Sequence, residues 1–199
     1  MCIQPYRRLP IISLLALVVA PLLTACGSGT HFTGQVLNPV HPAPDFALSD
    51  QRGAPFQLRQ QRGNVVLLYF GYTHCPDVCP ATLSVFRDVV KTLGPDGQRV
   101  RVIFVTVDPE RDTAAYLRDY LAQFDPGFIG LTGNLDQLTP VYQAYHIFRQ
   151  KIETGGALGY TMSHTSSFDV IDPQGNWRLT HDFGDETKDI AADVRQLLH

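Results

Sequence analysis

Apolar positions along the chain switch between two spacings. Val65–Phe70 is an unbroken apolar run, and Val100–Val107 is nearly one, ending at Asp108-Pro109. Short runs bounded by polar turns predict buried strands. Between them Leu83, Phe86, Val89, Val90 and Leu93 recur every three or four residues, predicting a helix over 81–93. The same spacing predicts helices over 111–124, 135–145 and 186–198. Shorter segments predict strands at Asp45–Leu48 and Pro55–Leu58 around Gly53, and at Phe128–Leu131. Ser166–Ile171 and Asn176–His181 read as a hairpin turning at Asp172-Pro173-Gln174-Gly175. This alternation, closed by a hairpin and a helix, predicts an α/β sandwich with a mixed central sheet and an N-terminal β-hairpin.

The N-terminus breaks the pattern. Arg7 and Arg8 precede an apolar run from Leu9 to Leu23, interrupted by Ser13 and Pro21 and followed by Leu23-Thr24-Ala25-Cys26. The run is too short for a comfortable span and ends in small residues, as a secretory signal does. The tetrad resembles a bacterial lipobox, which makes 1–25 a signal peptide and Cys26 the lipidated first residue of the mature chain. An uncleaved signal anchor is the alternative. Either way the domain is expected outside the inner membrane, on the periplasmic side. Residues 26–44, rich in glycine and proline, read as a flexible tether, and 45–199 as the domain.

Composition is that of a globular protein: 44% of the 199 residues are hydrophobic and 18% charged. The net charge of −3 comes with no Lys/Arg cluster, which argues against nucleic acid as a partner. Of four cysteines, Cys2 lies in the expected signal and Cys26 is the expected lipid site, leaving Cys75 and Cys79 as thiols. In an oxidising compartment such a pair tends towards a disulfide, so a role for thiolates needs a thiol reductant as partner.

These two lie in Gly71-Tyr72-Thr73-His74-Cys75-Pro76-Asp77-Val78-Cys79-Pro80. Pro76 and Pro80 disfavour helix at the residues before them, and Pro80 suits a first helical turn. Both sulfurs are therefore expected in a loop at the mouth of the helix, where free N–H groups favour thiolate. Three intervening residues leave room for a metal, and still permit a disulfide. Two thiolates are soft ligands suited to Cu(I), zinc or iron–sulfur chemistry, and a metal needs a further donor. Among seven histidines, His31 and His41 fall in the tether, His199 is terminal, and His146 and His181 are expected at the surface. His74 is expected to point away from the sulfurs, leaving it at most an entry or supporting role. His164 precedes the 166–171 strand.

A sulfur pair between a strand and a helix resembles the thioredoxin fold, and the early hairpin resembles its peroxiredoxin-like branch. In such folds the loop before the 166–171 strand faces the cysteines, where a proline usually stands. No proline occurs between Pro140 and Pro173, so His164 is free to face the sulfurs. Tyr69–Pro80 and Thr106-Val107-Asp108-Pro109-Glu110-Arg111-Asp112-Thr113, with His164 and Asp172-Pro173, closely resemble the Sco/SenC family over about residues 45–198. The resemblance implies copper, as Cu(I) or Cu(II), held by Cys75, Cys79 and His164. It implies delivery to the binuclear copper centre of a respiratory cytochrome c oxidase. The partners implied are that apo subunit and a copper donor, with the membrane reached through the lipid anchor. Such a protein is a metallochaperone more than an enzyme. The family often carries an acid just before this histidine, where this chain has Ser163; Met162 is expected to pack. Asp108–Thr113 is read chiefly as a helix start. Thiol–disulfide oxidoreductase is the alternative function, needing the cysteines but not His164, and peroxidase a third.

Overall fold

In a computed structural model, residues 31–155 and 159–199, with Met1, are described. The expected signal peptide, Cys26 and residues 26–30 lie outside them. Among the described residues no helix is long and apolar enough to cross a membrane.

The apolar runs form the centre of the sheet. β4 (Val65–Gly71) is buried throughout and pairs in parallel with β5 (Val100–Thr106), which pairs in parallel with β6 (Ile129–Thr132). The expected early hairpin is β2 (Ala47–Asp50) with β3 (Pro55–Gln57), antiparallel on the β6 edge. The late hairpin is β9 (Phe168–Ile171) with β10 (Asn176–His181), added antiparallel to β4. Gly175 closes its turn at φ +86°, a conformation glycine adopts without a Cβ clash.

Two elements depart from expectation. β1 (Gln35–Pro42) pairs antiparallel with β10 and completes an eight-stranded sheet of order β1-β10-β9-β4-β5-β6-β2-β3. The tether reading therefore fails from Thr33 onward, and the folded domain starts well before Asp45. The Thr33 N–H and hydroxyl and the Gly34 N–H all donate to the buried Asp193 carboxylate. The strand was hidden because it is an edge strand whose side chains are mostly exposed, so it carries no apolar run. Second, β7 (Arg149–Glu153) and β8 (Tyr160–His164) form a separate two-stranded antiparallel sheet.

Helices cover both faces. α1 (Val78–Leu93) and α4 (Thr187–Leu198) bury a stripe each. With α2 (Ala114–Leu121) they lie on the face of Tyr69, Phe104 and Phe168. There Tyr69 and Phe168 meet Phe86 edge-on, and Phe104 meets Tyr120. α2 is shorter than expected because Thr113 caps it, accepting from the Tyr116 N–H. α3 (Leu135–Ala144) covers the other face, placing Tyr142 against Phe70, with Tyr145 of the following turn beside it. His181, expected at the surface, is buried. It stacks on Phe168, with Nδ1 2.7 Å from Asp185 and Nε2 3.2 Å from Asp193. The Asp185 carboxylate in the following turn bonds Nδ1, and the Asp193 carboxylate of α4 lies beside Nε2, which lowers the cost of an imidazole inside.

Asp169 on β9 is buried and accepts a hydrogen bond from Thr180 Oγ1 at 2.9 Å. Burial pushes its carboxyl up to about 7. An unfolded aspartate titrates near about 3.9, so the folded chain keeps this proton longer. Stability then declines as pH rises from about 4 to about 7 and levels off above. Asp169→Asn is expected to flatten that decline in urea unfolding at pH values of about 4.5, 6 and 8. An unchanged pH profile would show that another group causes it.

Candidate metal centre

The parallel strands β4 and β5 end side by side, and the Val107 N–H donates to the Gly71 carbonyl at 2.8 Å. The loops that follow, 72–77 and 107–113, therefore leave the sheet together at its carboxyl edge, where open α/β sheets place their sites. A Cβ at Gly71 would stand 2.7 Å from Phe104, 2.9 Å from Tyr69 and 3.1 Å from Cys79 Sγ. Glycine here lets the strand end press against the second cysteine.

Helix α1 starts one turn earlier than expected, so Cys79 is within its first turn while Cys75 stays in the loop. Asp77 at the N-cap makes no side-chain capping bond. The Cys79 N–H donates instead to Cys75 Sγ at 3.4 Å, so sulfur stands in for the capping oxygen. Both cysteines are free thiols, Cys75 half-buried and Cys79 fully buried. Their ionisation splits apart. A hydrogen bond from the Cys79 thiol, outweighing burial and helped by backbone N–H groups, lowers Cys75 to about 3. The same bond, with burial and the Cys75 charge, raises Cys79. Cys75 is thus the cysteine of the pair that ionises more readily.

His164 closes the site from the other side. It ends β8 rather than sitting in a loop, and its Nε2 is 3.6 Å from Cys79 Sγ. Its Nδ1 lies 2.6 Å from the Thr165 carbonyl oxygen. A carbonyl only accepts, so Nδ1 carries a proton, and in the neutral imidazole the Nε2 lone pair faces the sulfurs. The rings of Tyr69 and Tyr72 stand edge-on to the imidazole at 6.3 and 5.7 Å. An open cleft of ≈ 250 Å³ leads in between Tyr72, Cys75, Pro76, Met162 and His164.

The donor set fits a soft metal ion. Sulfur and nitrogen bound trigonally at about 2.3 and 2.0 Å stand about 3.7 Å apart, close to the Cys79–His164 separation. Among the described residues, no three His, Cys, Asp or Glu side chains are already closed around one point. The donors converge in pairs, and Cys75 Sγ is still engaged by the helix N–H.

His74 does not join them: its Nδ1 is 3.0 Å from Thr73 Oγ1 and its ring stacks on Tyr116. Met162 packs, as expected, with 5% of its surface exposed. Sequence reasoning missed three contributors. Tyr69 donates its hydroxyl hydrogen to Cys79 Sγ at 3.4 Å, and nothing in a buried strand singles out one aromatic as polar. The Thr165 carbonyl is backbone, invisible in side-chain patterns. The β7–β8 hairpin did leave a signal, the glycine cluster at 155–159 between two short segments.

A family model described as SCO1/SenC matches residues 36–199. The SCO2-like protein of Rickettsia felis is 37% identical over 144 residues, covering 72% of this chain and 70% of its own. The solved structure of Bradyrhizobium japonicum ScoI with copper bound matches with a TM-score of 0.72 at 35% identity, over 79% of this chain and 99% of that one. Apo Sco1 from Thermus thermophilus matches with a TM-score of 0.76 at 37% identity, over 86% and 99%.

The split between the thiols predicts one-sided reactivity. Peptide mapping after brief iodoacetamide treatment of the reduced protein is expected to find Cys75 modified and Cys79 protected. The rate at Cys75 is expected to be nearly flat between about pH 5 and 8, because a thiolate titrating near 3 is already formed. Preferential modification of Cys79 would reverse the assignment.

Proposed function

Since this chain belongs to the SCO1/SenC family, we propose that it is a copper carrier that holds the ion between Cys75, Cys79 and His164. Copper is its cargo, delivered to the apo copper-site subunit of a respiratory cytochrome c oxidase after receipt from a donor protein. The observation that carries this reading is the lone pair of His164 Nε2, turned to within 3.6 Å of Cys79 Sγ by the Thr165 carbonyl. Two sulfurs and one imidazole form a soft, low-coordinate set that suits Cu(I). Low coordination and an open cleft leave the ion reachable by an incoming thiolate, so ligands can be exchanged one at a time. Lipidation at Cys26 would keep the carrier on the periplasmic face of the membrane that holds its target, with 1–25 removed as a signal.

The absence of an acid before the histidine is met within the chain. Ligating imidazoles usually donate their second N–H to a carboxylate or carbonyl, and here the Thr165 carbonyl takes that part. Ser163 is therefore compatible with a competent ligand.

The paired thiols favour a second reading, thiol–disulfide exchange on the target's own cysteines. The Cys75 thiolate would attack a target disulfide, forming a mixed disulfide and releasing one target thiolate. Cys79, after losing its proton, would then attack Cys75 Sγ. That step frees the second target thiolate and leaves a Cys75–Cys79 disulfide for an external thiol reductant. Cys79, buried and raised in pKa, is the slower partner.

Removal of the imidazole separates the two readings. In anaerobic titration with a Cu(I)-chelating competitor, His164→Ala is expected to weaken copper by more than the roughly 10–100-fold typical of losing an orienting partner. Exchange with a model disulfide is expected to be largely retained. Wild-type copper affinity in His164→Ala would remove His164 from the site.

A further inference from the structure

The histidine and the cysteines belong to different sheets. β7–β8 pairs only with itself, so no ladder of main-chain bonds fixes where His164 stands relative to the cysteine loop. Side chains do it: the Tyr72 hydroxyl of the cysteine loop meets Thr161 Oγ1 at 2.9 Å, and a second group of contacts ends on one short segment, 107–111. Arg111 lies 3.7 Å over the Tyr160 ring and donates from NH1 to the Tyr160 carbonyl at 3.0 Å. The Tyr160 hydroxyl donates to Asp108 Oδ1 at 2.8 Å, while Arg111 Nε donates to Asp108 Oδ2. Arg149 Nε reaches the Val107 carbonyl at 2.8 Å. Lys151 pairs with Glu110 at 2.9 Å and lies 4.0 Å from the other partner of the clamp, the Tyr160 ring. Burial ranks these contacts. The Lys151 and Glu110 side chains are 38% and 58% exposed, whereas Arg111 and Asp108 are 16% and 2% exposed. The exposed pair is screened and contributes little, and the shielded guanidinium contributes most.

The next residue holds the other half of the site. The buried Asp112 carboxylate accepts from the Thr73 N–H and hydroxyl, two positions before Cys75. One turn thus grips the cysteine loop with Asp112 and the histidine hairpin with Arg111.

We propose that Arg111 is a positioning residue for the third ligand: by clamping Tyr160 against Asp108 it holds the β7–β8 hairpin so that His164 meets the cysteine pair. This rests on the copper reading above. Arg111 grips the hairpin through Tyr160 and also lies 5.9 Å from the Tyr72 ring at the cleft, so its loss is expected to act by letting the hairpin drift.

The test uses the full chain in detergent micelles, with Arg111→Ala, Arg111→Lys, His164→Ala and the Arg111→Ala/His164→Ala double variant. Cu(I) affinity is read by competition, and amide exchange is read on the metal-free proteins. Arg111→Ala is expected to weaken copper about 10–100-fold, as loss of an orienting partner does, and Arg111→Lys less. The double variant is expected to bind no more weakly than His164→Ala, because the clamp acts only through the imidazole. Exchange in 149–153 and 160–164 is expected to quicken in Arg111→Ala while β4 and β5 stay protected, which also shows that the variant folds. Unaltered copper affinity in Arg111→Ala, beside a weakened His164→Ala, overturns the proposal. So does a double variant weaker than His164→Ala by the full Arg111→Ala factor. If His164→Ala binds as wild type, the ligand reading fails instead; exchange then decides the clamp alone, and unchanged hairpin exchange overturns it. Should Arg111→Ala lose protection throughout, Arg111→Lys and Tyr160→Phe carry the same comparison, with unchanged copper affinity and hairpin exchange in both counting against the clamp.

Discussion

The site depends on a buried carboxylate. Asp112 has no exposed surface and accepts from the Thr73 N–H, the Thr73 hydroxyl and the Thr106 hydroxyl. Burial raises its pKa and these donors oppose the rise. An ionised acid in an apolar interior is costly unless its lone pairs are met. Here they are met by the first residues beyond β4 and the last residue of β5. The two loops that leave the sheet edge are thereby tied to each other, and Thr132 Oγ1 adds β6 by donating to the Asp112 carbonyl. The cysteine loop starts from a fixed point.

From there, geometry divides two chemically identical cysteines into different groups. Cys79 enters the helix, is pressed by the glycine at the strand end, and takes the Tyr69 hydroxyl hydrogen. Cys75 remains in the loop facing the N–H groups of the first turn. The neighbouring Cys79 thiol above all, and the N–H groups of the first turn, favour negative charge on Cys75. The cleft is lined by Cys75, the more readily ionised of the two sulfurs. In the proposed copper site, binding through both sulfurs would release the Cys79 proton and so link uptake to proton release.

The imidazole takes its orientation from its immediate surroundings. The carbonyl of the residue just after it fixes the tautomer, and two tyrosine rings limit its rotation. The ring's position, by contrast, is a matter of how a two-stranded hairpin rests on the 107–111 turn. Orientation is local to the chain at 164–165; placement is long-range.

Much of this was legible from residue order. The buried runs of β4 and β5, the stripes of α1 and α4, and the turn at 172–175 follow from periodicity and turn chemistry, because those elements are amphipathic or wholly apolar. The cysteine spacing and its prolines already placed two soft donors at a helix mouth. β1 escaped notice because an edge strand need not be apolar, and His181 because its burial depends on Asp185 in the turn and Asp193 of α4 folding back onto it. Which cysteine ionises, which hydroxyl meets the sulfur, and whether His164 reaches them were settled only by the fold. Each depends on desolvation or on contacts between residues 10 to 85 positions apart, and such terms appear only when the sheet edge brings the loops together.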